Sequence, residues 1–267
     1  MQKARGQPME TRSSRRRAAR ARGACRIHRM LAESHRKRAT SVVRKGRTVV
    51  RYERGALSRE EAEAFASLAA SGIRELGRLL GGRGGAPLRF ELRSGGHISS
   101  ARGRTISLPV FRIRARTAPY LHEIVHVLLP CPHAPAWFSE GLACYLESAL
   151  SEPSGGYDSR LFTTNGNRGV DDDARRWLAD SRGRKVLRFI GTRGVPKGIA
   201  ADRHNVAAPF YVLAHSLVNF LMERVGLGMA VRLARARGFA REVRRATGKN
   251  CPVWRGEWLR VLRAGRE

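Results

Sequence analysis

Hydrophobic positions change their period several times along the chain, and each change marks an element. Thr48-Val49-Val50-Arg51-Tyr52-Glu53 reads as a first strand. Ser58 then opens a helix, with Glu61 three residues on completing a capping box. Phe65, Leu68, Ile73, Leu76 and Leu80 carry its apolar face, and the Gly81 to Gly85 stretch ends it. Leu88-Arg89-Phe90-Glu91-Leu92 alternates as a half-buried strand does. Beyond Gly95-Gly96, residues 97–100 and 104–108 predict a hairpin around Ala101-Arg102-Gly103. Residues 118–129 form an apolar run interrupted by His122, Glu123 and His126, which predicts a helix buried nearly all round. Pro130, Pro132 and Pro135 turn the chain, and Ser139 is placed to cap a second helix. Ser151 to Arg168 reads as a loop, and Asp171-Asp172-Asp173 as the start of a further helix. Helical segments follow at 209–221, 228–237, 240–247 and 252–262. The order predicts an α+β fold, a small mixed sheet followed by a mostly helical part.

The polar residues inside the buried helix carry the chemistry. Residues four apart share one face of a helix, so His122 and His126 can point two imidazoles at one metal ion. Glu123 lies beside the first histidine, where a general base must stand. Unpaired polar groups in such a helix are costly, and zinc would satisfy them. Catalytic zinc takes three protein ligands and a water. Glu140 is the leading third ligand, from the first turn of the second helix. His133 and Cys131 remain as alternatives, while Pro132 stands where a third histidine six residues on would be needed.

His122-Glu123-Ile124-Val125-His126 followed by Trp137-Phe138-Ser139-Glu140-Gly141-Leu142-Ala143 resembles the gluzincin branch of the zincin metallopeptidases, and is similar to small bacterial peptidases called MA-like. The resemblance is strong over about 105–150, weaker over about 48–104 and 200–262, and does not cover the first forty-odd residues. It implies a zincin-like fold, one zinc per chain on His122, His126 and Glu140, and Glu123 as the base that activates a zinc-bound water. It also implies an oxyanion donor from a later helix. Tyr211 ranks first, against the alternative of an ordinary core aromatic; His204 and His215 rank below it. In such a fold an edge strand binds extended peptide by β-augmentation. Residues 104–108 are the candidate, with plain sheet structure as the alternative. The larger zinc aminopeptidases hold a substrate's amino terminus with a G-x-M-E-N type segment, which this chain lacks, so aminopeptidase action is not expected.

Composition adds a second theme. The formal net charge is +30 on 267 residues, and arginine is concentrated at the start, as in Arg15-Arg16-Arg17 and Arg36-Lys37-Arg38. Residues 1–46 are therefore expected to be a disordered basic arm. They precede a catalytic subdomain over 47–150 and a mostly helical subdomain over 151–267 that completes the cleft. The arm offers weak contact to nucleic acid or an anionic surface. The plainer reading is arginine-rich composition, since no aromatics are interleaved for base stacking. Arg232, Arg235, Arg241, Arg244 and Arg245 suit exposed helix faces. A hydrophobic share of 42 % suffices for a core, and no run of eighteen apolar residues is present. No apolar region follows the basic start, so the chain as written is expected in the cytoplasm; export would need a different start. Cys25, Cys131, Cys144 and Cys251 form no C-x-x-C pair; Cys144 falls on the Glu140 face, and a Cys131–Cys251 disulfide fits only an exported protein. The expected function is a monomeric zinc metallopeptidase acting on peptide or protein. The rivals are a zinc-binding module without turnover and a basic nucleic-acid-binding protein with an incidental peptidase core.

Overall fold

The structure is a computed structural model that describes residues 40–82, 86–96, 98–151, 157–160, 162–163, 166–197, 199 and 205–265. The arm up to residue 39, Cys25, His97 and His204 lie outside the described residues, as do residues 152–156, 161 and 164–165 of the predicted loop.

Strands β1 (Thr40–Lys45), β2 (Thr48–Glu53), β3 (Leu88–Arg93), β4 (Ser100–Arg102) and β5 (Thr105–Pro109) form one sheet in the order β1-β2-β3-β5-β4. β2 runs parallel to β3 and β3 to β5, whereas β4 is antiparallel to β5. β1 falls inside the range assigned from sequence to the basic arm; Val42 is exposed, so its alternation carries little apolar signal. The predicted hairpin is shifted: Gly103, with φ 57°, makes the turn after β4. Residues 105–109 are consequently an inner strand, and β4 is the edge, which corrects the expectation for 104–108.

Val50, Tyr52, Leu88, Phe90, Leu92, Ile106 and Leu108 point to one buried side of the sheet. Helix α1 (Arg59–Leu79) crosses between the parallel strands β2 and β3, opened by the Ser58–Glu61 capping box. Its Phe65 meets Phe90 edge-on at 5.5 Å and Tyr120 at 6.0 Å. One ring thus ties the sheet to the helix that carries the histidines. After a short α2 (Val110–Arg114) come α3 (Tyr120–Leu128) and α4 (Ala136–Leu150). Then follow α5 (Gly166–Ala179), α6 (Ser181–Leu187), α7 (Ala207–Arg235), α8 (Phe239–Thr247) and α9 (Cys251–Ala264). Gly226 interrupts α7 at φ 72°, ψ 167°, so its two parts separate near the boundary expected from sequence. The whole is a mixed α+β arrangement of a small five-stranded sheet and a mostly helical remainder.

Two helix starts differ from expectation. α4 begins at Ala136 because Pro135, at φ −67°, is preset for the turn, so Ser139 lies inside the helix and caps nothing. α5 begins at Gly166, which places Asp171, Asp172 and Asp173 mid-helix. Asp171 accepts a hydrogen bond from Ser216 at 2.7 Å, and the other two pair with Arg175 and Arg176. Cys131, Cys144 and Cys251 are free thiols, so the Cys131–Cys251 disulfide is not formed.

Candidate metal centre

α3 is only nine residues long and ends where Leu129 leaves helical geometry ahead of Pro130. Its Tyr120, Leu121, Ile124 and Val125 are buried, which fixes the helix rotation and turns His122 and His126 toward α4. α4 packs between α3 and α7. At Gly141 a Cβ would stand 2.4 Å from the backbone oxygen of Ala214, so only glycine permits this approach of α4 to α7. Glu140, next to that contact, is held facing α3.

Three donor atoms converge there. His122 Nε2 is 3.1 Å from Glu140 Oε2, His126 Nε2 is 3.1 Å from His122 Nε2, and His126 Nε2 is 3.2 Å from Glu140 Oε2. Two imidazole nitrogens that close can share at most one proton, which leaves lone pairs facing each other. A tetrahedral cation about 2.0–2.1 Å from nitrogen would set ligand atoms roughly 3.3 Å apart, close to this triangle. Two imidazole nitrogens and one carboxylate oxygen are a donor set that zinc takes. These residues therefore fit zinc.

The electrostatics follow from burial and from Glu140. Burial lowers the pKa of His122, partly offset by its hydrogen bond to Glu140. Burial also pulls on His126, but the hydrogen bond and charge of Glu140 outweigh it and raise the value. Burial alone would raise Glu140; its two histidine partners instead hold it well below the usual carboxylate range. Glu123 is 6 % exposed, and burial pushes it up to about 7. A carboxyl poised there can both take and return a proton near neutral pH.

The Tyr211 ring lies 5.8 Å from that of His122, and burial, reinforced by the charge of Glu140, raises its hydroxyl well above the ordinary value. It therefore stays protonated and able to donate a hydrogen bond. His215, one turn further along α7, is fully buried and bonded to Asn167 Oδ1 at 2.6 Å, not turned into the cluster. His133 and Cys131 do not join the triangle; the Cys131 thiol donates to the Leu129 carbonyl at 3.3 Å.

Sequence reasoning missed two residues. Glu147, with no exposed surface, brings Oε2 to 3.8 Å from His122 Nδ1, beside Cys144 Sγ at 3.7 Å from the same atom. The Glu147 carboxylate puts negative charge on that side, which favours a proton on Nδ1 and leaves Nε2 as the free lone pair. The signal was legible: Glu140, Cys144 and Glu147 are spaced four and three apart on one helix face. Phe162 is the other. It is 44 % exposed, at φ 61°, with its ring 5.4 Å from that of Tyr211, and nothing in its local pattern distinguishes it.

An α+β protein with a partly buried His-His-Glu cluster is thus defined by its own side chains. No family profile matches the chain, and no curated protein matches it in sequence. Among solved structures it is similar to an M1 zinc metallopeptidase from Deinococcus radiodurans, at 17 % identity and TM-score 0.45, over 83 % of this chain and 51 % of that one. A mutant form of the Deinococcus radiodurans enzyme, bound to a Tyr-Ser-Ala substrate, gives 17 % identity and TM-score 0.46 over the same shares. The chain spans about half the length of these structures.

Proposed function

We propose that this protein is a gluzincin-like zinc metallopeptidase with a zincin-type fold. Its catalytic part spans residues 47–150, and its cleft is completed by residues 151–267. His122, His126 and Glu140 would hold one zinc per chain. The observation that carries the reading is the triangle of three donor atoms at 3.1–3.2 Å, with a buried carboxylate one residue from its first corner. Zinc bound at these atoms supplies Lewis acidity, acidifying water and polarising a carbonyl oxygen.

The chain's own residues do the rest. The Glu123 carboxylate takes a proton from the attacking water and returns it to the leaving amine as the peptide bond breaks. The Tyr211 hydroxyl donates to the former carbonyl oxygen as negative charge develops there. The Glu147 charge favours the His122 tautomer whose Nε2 can act as ligand. The substrate is a peptide or protein, and the working unit is a monomer.

Zinc content and cleavage of a mixed peptide library, measured for the wild type and Glu123→Gln, test this. The expected result is one zinc per chain in both proteins and cleavage by the wild type alone. Zinc in both without cleavage by either would replace the peptidase with a zinc-binding module. A metal-replete wild type without zinc would sink the proposal.

A further inference from the structure

Away from the metal centre, the end of α7, the link after it and the start of α8 enclose an open groove of about 530 Å³. Arg232, Arg235, Arg237, Arg241 and Arg245 line it, against one carboxylate, Glu242. Glu242 is engaged by two of them, Arg232 Nε at 2.7 Å and Arg245 at 2.8 Å. Among the described residues, Arg235, Arg237 and Arg241 have no salt bridge.

Stability explains only part of this placement. Arg232 and Arg235 sit in the last turn of α7, where cations offset the helix dipole. Arg237 and Arg241 do the opposite: they flank Gly238, the N-cap of α8, and put positive charge at the positive end of a helix. The one acid of the first turn, Glu242, is already engaged by Arg232 and Arg245. The two guanidiniums at this helix start, and Arg235 lining the same groove, have no carboxylate partner among the described residues, an arrangement that an anion relieves. Guanidinium forks match phosphate oxygens in two-point contacts.

We propose that this groove binds the phosphate backbone of a duplex nucleic acid without reading its sequence. The lining decides among anions. Its apolar members, Val231 and Ala236, are small and half-buried, so an acidic peptide would find charge but no anchor. No aromatic ring lines it, which removes the stacking platform on which single strands are held. Regularly spaced phosphates need neither.

The test uses the full chain and a mixed-sequence DNA duplex of about 20 base pairs, with Kd measured between about 50 and 200 mM salt. Each arginine–phosphate contact contributes about 0.9 to the log–log salt slope, so losing three lowers the high-to-low-salt Kd ratio about 40-fold. Arg235→Ala, Arg237→Ala and Arg241→Ala combined should produce that drop. The same three positions changed to lysine should keep the slope, which separates loss of charge from loss of fold. Arg74→Ala, Arg78→Ala and Arg193→Ala combined remove equal charge elsewhere and should leave the ratio in place. Equal drops in both alanine triples would reduce the effect to net charge and overturn the groove. No drop in the first triple would move binding elsewhere on the chain. A single strand or an acidic peptide bound more tightly than duplex through the same arginines would overturn the assignment of the ligand.

Discussion

At the scale of single residues, Glu123 and Tyr211 divide the proposed chemistry. Glu123→Gln keeps the shape of the side chain but removes the proton acceptor, so kcat should fall by about 10²–10⁴ while zinc content holds. Tyr211→Phe removes only a hydroxyl. If it stabilises developing charge, kcat falls roughly 10²-fold with KM little changed; unchanged kcat would return Tyr211 to the core. His215 gives a separate, pH-linked expectation. Burial lowers its pKa to about 3, with the negative charge of Asp173 opposing and His122 assisting. Tyr145 meets the ring edge-on at 6.5 Å and Asn167 holds Nε2. Above pH about 6.5 both folded and unfolded states keep His215 neutral and it contributes nothing. Below that, the unfolded chain binds a proton that the fold refuses. Stability should therefore decline by up to about 1.4 kcal/mol per pH unit from pH 6.5 down toward 3. Urea titrations at several pH values should show a shallower decline for His215→Gln.

At the scale of elements, the candidate metal centre depends on two close helix approaches, each bought with a glycine. Gly72 on α1 lets α3 come near: a Cβ there would meet Leu121 Cδ2 at 2.6 Å. Gly141 on α4 admits α7, with backbone rather than a flexible side chain as the obstacle. Gly141→Ala must push α4 from α7 and move Glu140 with it. Overpacking of this kind costs about 1–3 kcal/mol, and the variant should also bind zinc more weakly in chelator competition. Gly72→Ala should do less, because Leu121 can shift. A Gly141→Ala protein with wild-type stability and zinc affinity would show that α4 is not held by that contact.

At the scale of the whole molecule, the mixed sheet and α1 form a platform on which α3 rests, and α4 and α7 close over it. No helix among the described residues is long and apolar enough to cross a membrane. If zinc binds the folded chain alone, excess zinc should raise Tm and chelator should lower it, by RT ln(1 + [L]/Kd). A Tm indifferent to both would argue against a metal seated among α3 and α4. What the sequence determined by itself was what is local. The capping box at Ser58, the alternation of 88–92 and the four-residue spacing of His122 and His126 act over one or two turns, so their outcome is written in neighbouring residues. The edge position of β4, the inner position of β5 and the inclusion of β1 depend on which strands pair, a choice made between distant segments. The same holds for the groove of five arginines, whose spacing along the chain shows exposed helix faces but not their convergence. Only tertiary packing brought Glu140, Glu147 and Tyr211 onto His122, because burying Tyr120 to Val125 of α3 leaves the His122 ring few directions in which to find partners.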